Sequence, residues 1–319
     1  MLVENLLKQI NGPKYLEHVA TLEEMLAEEL HGANGAIIAF RSPTEDKRLK
    51  ELELAAKLPI LNDITTLDGK IEAMTNEFLR INLEHFGPLM YQPLTSLRSI
   101  ELREYRTLQR VLAVIDAPAT SDKLRERLSF VLGKVLSISI VNALKSNAGI
   151  AGETFAEAIL GSVGLKRDEH YTCQYKSNTG SNTDIVLPVV EHETDRLVEA
   201  FVAVQMSTND RIRLTKSELK KSANAYVITG SGMPAASKSL KDIGTQNLRT
   251  TQEANHTLVC HSDAIETELK RCRDQLAKTK GAKKTKDYKD RIKFFKSNAI
   301  SFAKFAQEMR TRFLHRNQP

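Results

Sequence analysis

Asp184 heads a short apolar run, Asp184-Ile185-Val186-Leu187-Pro188, and a second run, Ala200 to Gln205, ends on an amide. An acidic side chain at the start of one strand, beside polar groups on its neighbour, suits the binding of a divalent cation. Carboxylate oxygens converging on a hard ion such as Mg2+ let that ion polarise a phosphate and lower the pKa of an attacking water. Glu153 and Glu157 lie four residues apart, so they share one face of a helix, and Glu157 is a candidate auxiliary metal ligand. Gln205 is the odd member, because a buried amide at the end of an apolar strand needs hydrogen-bond partners. Directly after it runs Met206-Ser207-Thr208-Asn209-Asp210-Arg211-Ile212-Arg213, followed by Lys216, a polar stretch suited to meeting DNA. Arg is bidentate to guanine O6 and N7, and a carboxylate accepts from cytosine N4. Each of these residues also has an ordinary reading: a turn Asp, surface carboxylates on a helix, a surface ion-pair set.

In their order, residues 149 to about 265 resemble the core of the PD-(D/E)XK restriction endonucleases. The parts are a Gly152-Glu153-x-Phe155-x-Glu157 helix, the isolated Asp184 on a strand, the Ser207-x-x-Asp210-Arg211 run after the next strand, and Tyr226-Val-Ile-Thr-Gly-Ser-Gly-Met233. The resemblance covers a little over a third of the chain. At the family's E-x-K positions this sequence carries Ala203 and Gln205. In one branch of the family the missing carboxylate moves to the following helix, and the residue at that place here is Glu218. The resemblance implies a type II site-specific deoxyribonuclease that hydrolyses phosphodiester bonds of double-stranded DNA with Mg2+. Asp184, Glu218 and Glu157 would hold the metal, and Gln205 would orient a water. Asn209, Asp210, Arg211, Arg213 and Lys216 would face the DNA, with Asp210 and Arg211 at a short G/C-containing site and Asn209 in place of the first Arg of the run. It further implies a homodimer on palindromic sites, a cognate DNA methyltransferase and a prokaryotic, unsecreted, cytoplasmic protein. The competing expectation is a non-catalytic DNA-binding or assembly protein with a degenerate nuclease core.

The elements that would position these residues fall into three parts. Residues 1–148 form an all-helical N-terminal region, with apolar side chains three and four apart in Leu16, Val19, Leu22, Leu26, Leu30 and in Leu67, Ile71, Met74, Phe78, Ile81. Gly87-Pro88, Pro93 and Pro118 are expected breaks, and Ser121 with Asp122 are expected caps for a helix running toward Asn147. A separate helix then carries Phe155, Ile159 and Val163 and closes at Gly164. Residues 149–265 read as an α/β (α+β) core, a mixed sheet flanked by helices, with strands near 184–188, 200–205 and 225–229. Residues 266–319 read as a basic helical C-terminal segment: helical spacing through Leu276, an exposed basic connection from Gly281 through Lys286, and a C-terminal helix from Tyr288 to Phe313 whose seam runs through Ile292, Phe295, Ala299, Phe302, Ala306, Met309 and Phe313.

Composition narrows the classes. Net charge is +6, and residues 266–319 hold 16 Lys or Arg against 6 Asp or Glu, so the other residues sum to −4. A basic block on a near-neutral body fits a polyanion contact or a solvated helix surface. Cys173, Cys260 and Cys272 form no CxxC pair, which argues against a disulfide framework or a zinc ribbon, and His256-x3-Cys260-His261 lacks a second ligand pair. The start has no basic segment followed by an apolar run, so a secretory leader is not expected. Motifs for P-loops, dinucleotide folds, zinc proteases and serine hydrolases are missing.

Overall fold

A computed structural model of the chain describes residues 3–10, 12–13, 15–30, 43–98, 105–176, 182–190, 198–205, 224–231, 240–241 and 243–315. The chain divides into two compact units, Met1–Leu54 with Leu79–Asn147, and Ala55–Phe78 with Ala148–Pro319.

The first unit is helical. It holds α1 (Val3–Gln9), α2 (Tyr15–Leu30), most of α3 (Pro43–Ala55), the later part of α4 (Leu67–Tyr91), α5 (Pro93–Arg98), α6 (Arg106–Asp116) and the first part of α7 (Asp122–Gly161). Leu22, Leu26 and Leu30 of α2 meet Leu108, Val111, Leu112 and Ile115 of α6 and Leu128, Val131 and Leu132 of α7 in one buried cluster. The three-and-four spacing of these residues is what places them on facing stripes. The first turn of α6 has no side-chain cap of its own; the Glu29 carboxylate of α2 takes its Thr107 and Leu108 amides at 2.7 and 3.2 Å. That long-range cap satisfies donors a helix start otherwise leaves unpaired.

Two expected breaks are overridden. α4 passes through Gly87-Pro88 to Tyr91, and the Gln92 amide bonds to the Pro88 carbonyl at 2.8 Å, so the proline removes one hydrogen bond near the helix end without stopping the coil. α7 runs unbroken for 40 residues across Gly149 and Gly152, where two helices were expected. A glycine within a helix costs about 1 kcal/mol, which the burial of Phe155, Ala156, Ile159 and Leu160 exceeds. α7 ends where the sequence places its stop. Gly164 has φ +87°, and the Leu165 amide reaches back to the Leu160 carbonyl at 3.1 Å, the wrapped ending that favours glycine.

The second unit is built on a six-stranded mixed sheet in the order β1 (Thr172–Lys176), β2 (Asn182–Leu187), β3 (Ala200–Gln205), β4 (Asn224–Thr229), β5 (His256–Val259), β6 (Ala299–Ile300). β1, β2 and β3 are antiparallel; β3 to β6 are parallel. Its further helices are α8 (Thr245–Glu253), α9 (Ser262–Lys278), α10 (Ala282–Ser297) and α11 (Phe302–Phe313). Helices flank the sheet on both faces. Val227 of β4 packs with Leu248, Ala264, Phe294 and Phe295 from α8, α9 and α10, while the neighbouring Tyr226 stacks on Phe305 of α11 with ring centroids 5.1 Å apart. Adjacent residues of a strand point to opposite faces, so one dipeptide serves both layers.

The basic stretch from Gly281, expected as a connection, instead caps and opens α10 at Ala282, and the segment after it is not one helix. The expected seam from Ile292 to Phe313 is split by β6, which adds Ala299 and Ile300 to the edge of the sheet. The Cys260 amide bonds to the Ile300 carbonyl at 3.0 Å, and Ser301 caps the restart by accepting from the Lys304 amide at 3.1 Å. The spacing of three and four survives because Phe295 on one side of the break and Phe302, Ala306, Met309 and Phe313 on the other are all buried. No helix among the described residues is long and apolar enough to cross a membrane.

Candidate metal and nucleic-acid site

Asp184 lies on β2, one residue beyond the Ile185–Val202 pair that ends the β2–β3 ladder, so the same register sets it opposite Ala203. There its carboxylate replaces a ladder partner: the Val204 amide donates to Asp184 Oδ2 at 2.6 Å. A strand that ends its pairing in this way fixes the carboxyl group against its neighbour's backbone.

Glu153 and Glu157, one turn apart on α7, flank the same place and are both half-buried. Gln174 Nε2 donates to Glu153 Oε1 at 2.7 Å. Tyr171 offers its hydroxyl to Glu157 Oε2 at 3.5 Å, and the Arg167 guanidinium stands 3.7 Å from Glu157 Oε1. Burial raises the Glu153 pKa above the ordinary range, and the nearby charges of Asp184 and Glu157 add to the rise, against the Gln174 hydrogen bond. Glu153 therefore feels the charges of the other two carboxylates, a cost that a cation nearby would relieve. Cys173, on β1 beside Glu157, has its thiol pushed up to about 12, chiefly by burial, which keeps it protonated and poorly nucleophilic at neutral pH. Arg167, Tyr171 and Gln174 are site neighbours that no spacing in the sequence marks.

Gln205 closes β3 with 7% of its surface exposed, and its Oε1 has no hydrogen-bond partner among the described residues. An unsatisfied buried acceptor costs about 1–3 kcal/mol, so this amide is placed at the expense of stability. Ala203, two residues back on the same strand face, is also buried. Glu218, Asn209, Asp210, Arg211, Arg213 and Lys216 lie outside the described residues.

Among the described residues, the three-ligand set that converges within 4.8 Å lies elsewhere, at Glu72, His261 and Asp263. His261 is buried, with Nε2 3.3 Å from Glu72 Oε2, but its Nδ1 accepts the Asp263 amide at 3.1 Å and so must carry the lone pair. Nε2 is the ring nitrogen that faces Glu72. Within this set His261 caps α9. The neighbouring Asp68 does similar work, accepting the Ser262 amide at 2.8 Å and the Ala303 amide at 3.0 Å at the starts of α9 and α11.

Comparison with family models, curated proteins and solved structures returned no significant match.

The raised pKa of Glu153 has a direct consequence for stability. A carboxyl that binds its proton more tightly when folded contributes stability below the ordinary carboxylate range and loses it as pH rises through the raised value. At neutral pH the charged Glu153 opposes folding. Glu153→Gln is expected to raise Tm at neutral pH in EDTA, with the gain vanishing on acidification below the carboxylate range. A lower Tm for the variant at neutral pH would mean that the Gln174 hydrogen bond outweighs burial.

Proposed function

We propose that the chain is a Mg2+-dependent, sequence-specific double-stranded DNA endonuclease of the PD-(D/E)XK type II restriction class. The observation that carries this reading is the gathering of Asp184 from β2 with Glu153 and Glu157 from α7 beside β3, where the Gln205 oxygen has no partner among the described residues. The register supports it too, since Ala203, at the position where the resembling family carries Glu, falls opposite Asp184. An oxygen-only donor set suits Mg2+, which takes one or two carboxylates and keeps several waters, so three tightly converged protein ligands are not required.

In this reading Asp184, Glu157 and the relocated Glu218 would hold Mg2+, which when bound would polarise the scissile phosphate and lower the pKa of the attacking water. Arg167 and Tyr171 hold Glu157 in place, and Gln174 does the same for Glu153. Gln205 Oε1 accepts a hydrogen bond from the water and orients it, without the positive charge a Lys would bring. Asn209, Asp210, Arg211, Arg213 and Lys216, which come after β3 in sequence, contact the DNA in this reading, and a homodimer matches a palindromic G/C-containing site. A cognate methyltransferase would protect the host DNA.

A second reading, a non-catalytic DNA-binding or assembly protein on a degenerate core, is favoured by Ala203 and Gln205 at the E-x-K positions. Digestion of a plasmid of known sequence separates the two. Discrete fragments with identical mapped ends in Mg2+, and none in EDTA, are expected. Intact plasmid under both conditions would leave the binding reading in place.

A further inference from the structure

We infer that the exposed face of α10 is a binding surface for the phosphate backbone of DNA, distinct from the carboxylate site on α7 and β2. The helix turns Arg291, Phe294 and Phe295 inward. Its outward residues include Lys283, Lys284, Lys286, Lys289, Lys293 and Lys296, all exposed. The two carboxylates of α10, Asp287 and Asp290, are both drawn aside by Arg249 Nη2 of α8, at 3.2 and 3.1 Å. The one buried cation of the helix, Arg291, is matched by Glu268. None of the six lysines forms an ion pair with a described residue.

The arrangement is ordered and costs the helix stability. Lys286, Lys289, Lys293 and Lys296 follow one another by three, four and three residues. That spacing keeps them on one face along about 15 Å, at roughly 1.5 Å per residue. Like charges at these separations repel by about 0.2–0.5 kcal/mol per pair. Lys283 and Lys284 stand in the first turn, where the macrodipole favours anions, and Gly281 provides no side-chain cap. Asp290 lies within one turn of both Lys286 and Lys293, yet it and Asp287 pair with Arg249 instead of with these lysines. A linear polyanion neutralises such a stripe by releasing its own counterions. A membrane surface is the poorer partner, because none of the large apolar side chains of α10 is exposed to enter a bilayer. The choice of DNA over other phosphate polymers rests on the nuclease reading.

The test uses the full chain in EDTA, where no cleavage enters, and a short random-sequence duplex followed by fluorescence anisotropy across salt. Each phosphate contact contributes about 0.9 to the slope of log K against log salt. Lys286, Lys289, Lys293 and Lys296 replaced together by Gln are expected to flatten that slope by roughly 3 to 4, with Tm and circular dichroism unchanged. Should that variant fold poorly, Lys289→Gln with Lys293→Gln is expected to remove roughly 2. The control replaces the exposed, dispersed Lys8, Lys50, Lys70 and Lys123 by Gln, an equal loss of charge, and is expected to keep the parental slope. Equal flattening in the control, an unchanged slope in the stripe variant, or binding to phosphatidylserine vesicles and not to the duplex would each overturn the inference. A chain that loses slope in the stripe variant yet never cuts DNA leaves this surface standing and removes the nuclease reading. A chain that cuts with an unchanged slope does the reverse.

Discussion

Asp184→Asn is expected to abolish Mg2+-dependent cleavage while leaving duplex binding in EDTA at or above the parental level. The choice of Asn matters, because the Asp184 carboxylate has a structural task as well: it accepts the Val204 amide at 2.6 Å. Ala would strip that acceptor from a part-buried amide, at about 1–3 kcal/mol, and would confuse misfolding with lost chemistry. Asn keeps an oxygen for Val204 and removes only the charge that a cation needs. A metal ion supplies several kcal/mol of transition-state stabilisation, and about 1.4 kcal/mol is a factor of ten in rate, so a fall of about a thousandfold is the scale to look for. Removing a negative charge near bound phosphate should also tighten binding rather than weaken it. The measurement is single-turnover cleavage of a mapped substrate, beside anisotropy binding and Tm. Parental cleavage by Asp184→Asn would place the metal elsewhere in the molecule; equal loss of Tm, binding and cleavage would reduce Asp184 to its bond with Val204.

How far the sequence foretold this arrangement depends on what each element owes to its neighbours. α2 and α6 were legible because their buried residues lie on one stripe each, and burial alone explains the spacing. β2, β3 and β4 were legible as apolar runs closed in on both sides. β1 was not: of Thr172-Cys173-Gln174-Tyr175-Lys176 only Tyr175 is fully buried, and Gln174 has φ +51°, so the strand exists because β2 offers it a partner. β6 is two residues long and depends on β5 in the same way. The uninterrupted spacing from Ile292 to Phe313 misled because both α10 and α11 bury an apolar stripe, and periodicity cannot see the strand between them. Asn298 and the cap residue Ser301 were the marks of the break. At the site, the acidic types were readable from their spacing, whereas Arg167, Tyr171 and Gln174 acquire their roles only when the strand after α7 folds back beside it. The Asp68 caps on α9 and α11 join residues 194 and 235 positions apart, far beyond any local pattern.

Glu268→Ala is expected to be the most destabilising single substitution in the sheet-bearing unit, by about 3–5 kcal/mol, the cost of leaving a buried charge without its partner. Glu268 is 1% exposed and receives Arg271 Nε on Oε2 at 2.8 Å and Arg291 Nε on Oε1 at 2.8 Å. Arg291 is itself 5% exposed, and its remaining donors reach the carbonyls of Ile243 at 2.6 Å and Leu240 at 3.0 Å. The planar guanidinium fork thereby ties α10 to α9 and to the approach to α8, a set of directions that a Lys ammonium cannot match. Burial alone would raise the Glu268 pKa, but hydrogen bonds and charge from Arg271 and Arg291 prevail and hold it below the ordinary value. A depressed carboxyl adds stability above the ordinary carboxylate range and loses it as pH falls through the depressed value. The gap between parent and Glu268→Ala should therefore be full at neutral pH and close in acid. In the variant, Arg271 can turn to solvent, whereas Arg291 cannot. A loss of this size corresponds to a Tm fall of roughly 6–20 °C in a unit of this length. Glu268→Gln, which keeps the shape and one acceptor, should lose less. Glu268→Leu combined with Arg291→Met should recover much of the difference, since an apolar pair of similar volume often replaces a buried ion pair at little cost. If Glu268→Ala melts within about 0.5 kcal/mol of the parent, the scale of an ordinary surface change, the network is not holding α9, α10 and the Leu240 to Ile243 segment together, and their packing rests on Phe294, Phe295 and Leu248 alone.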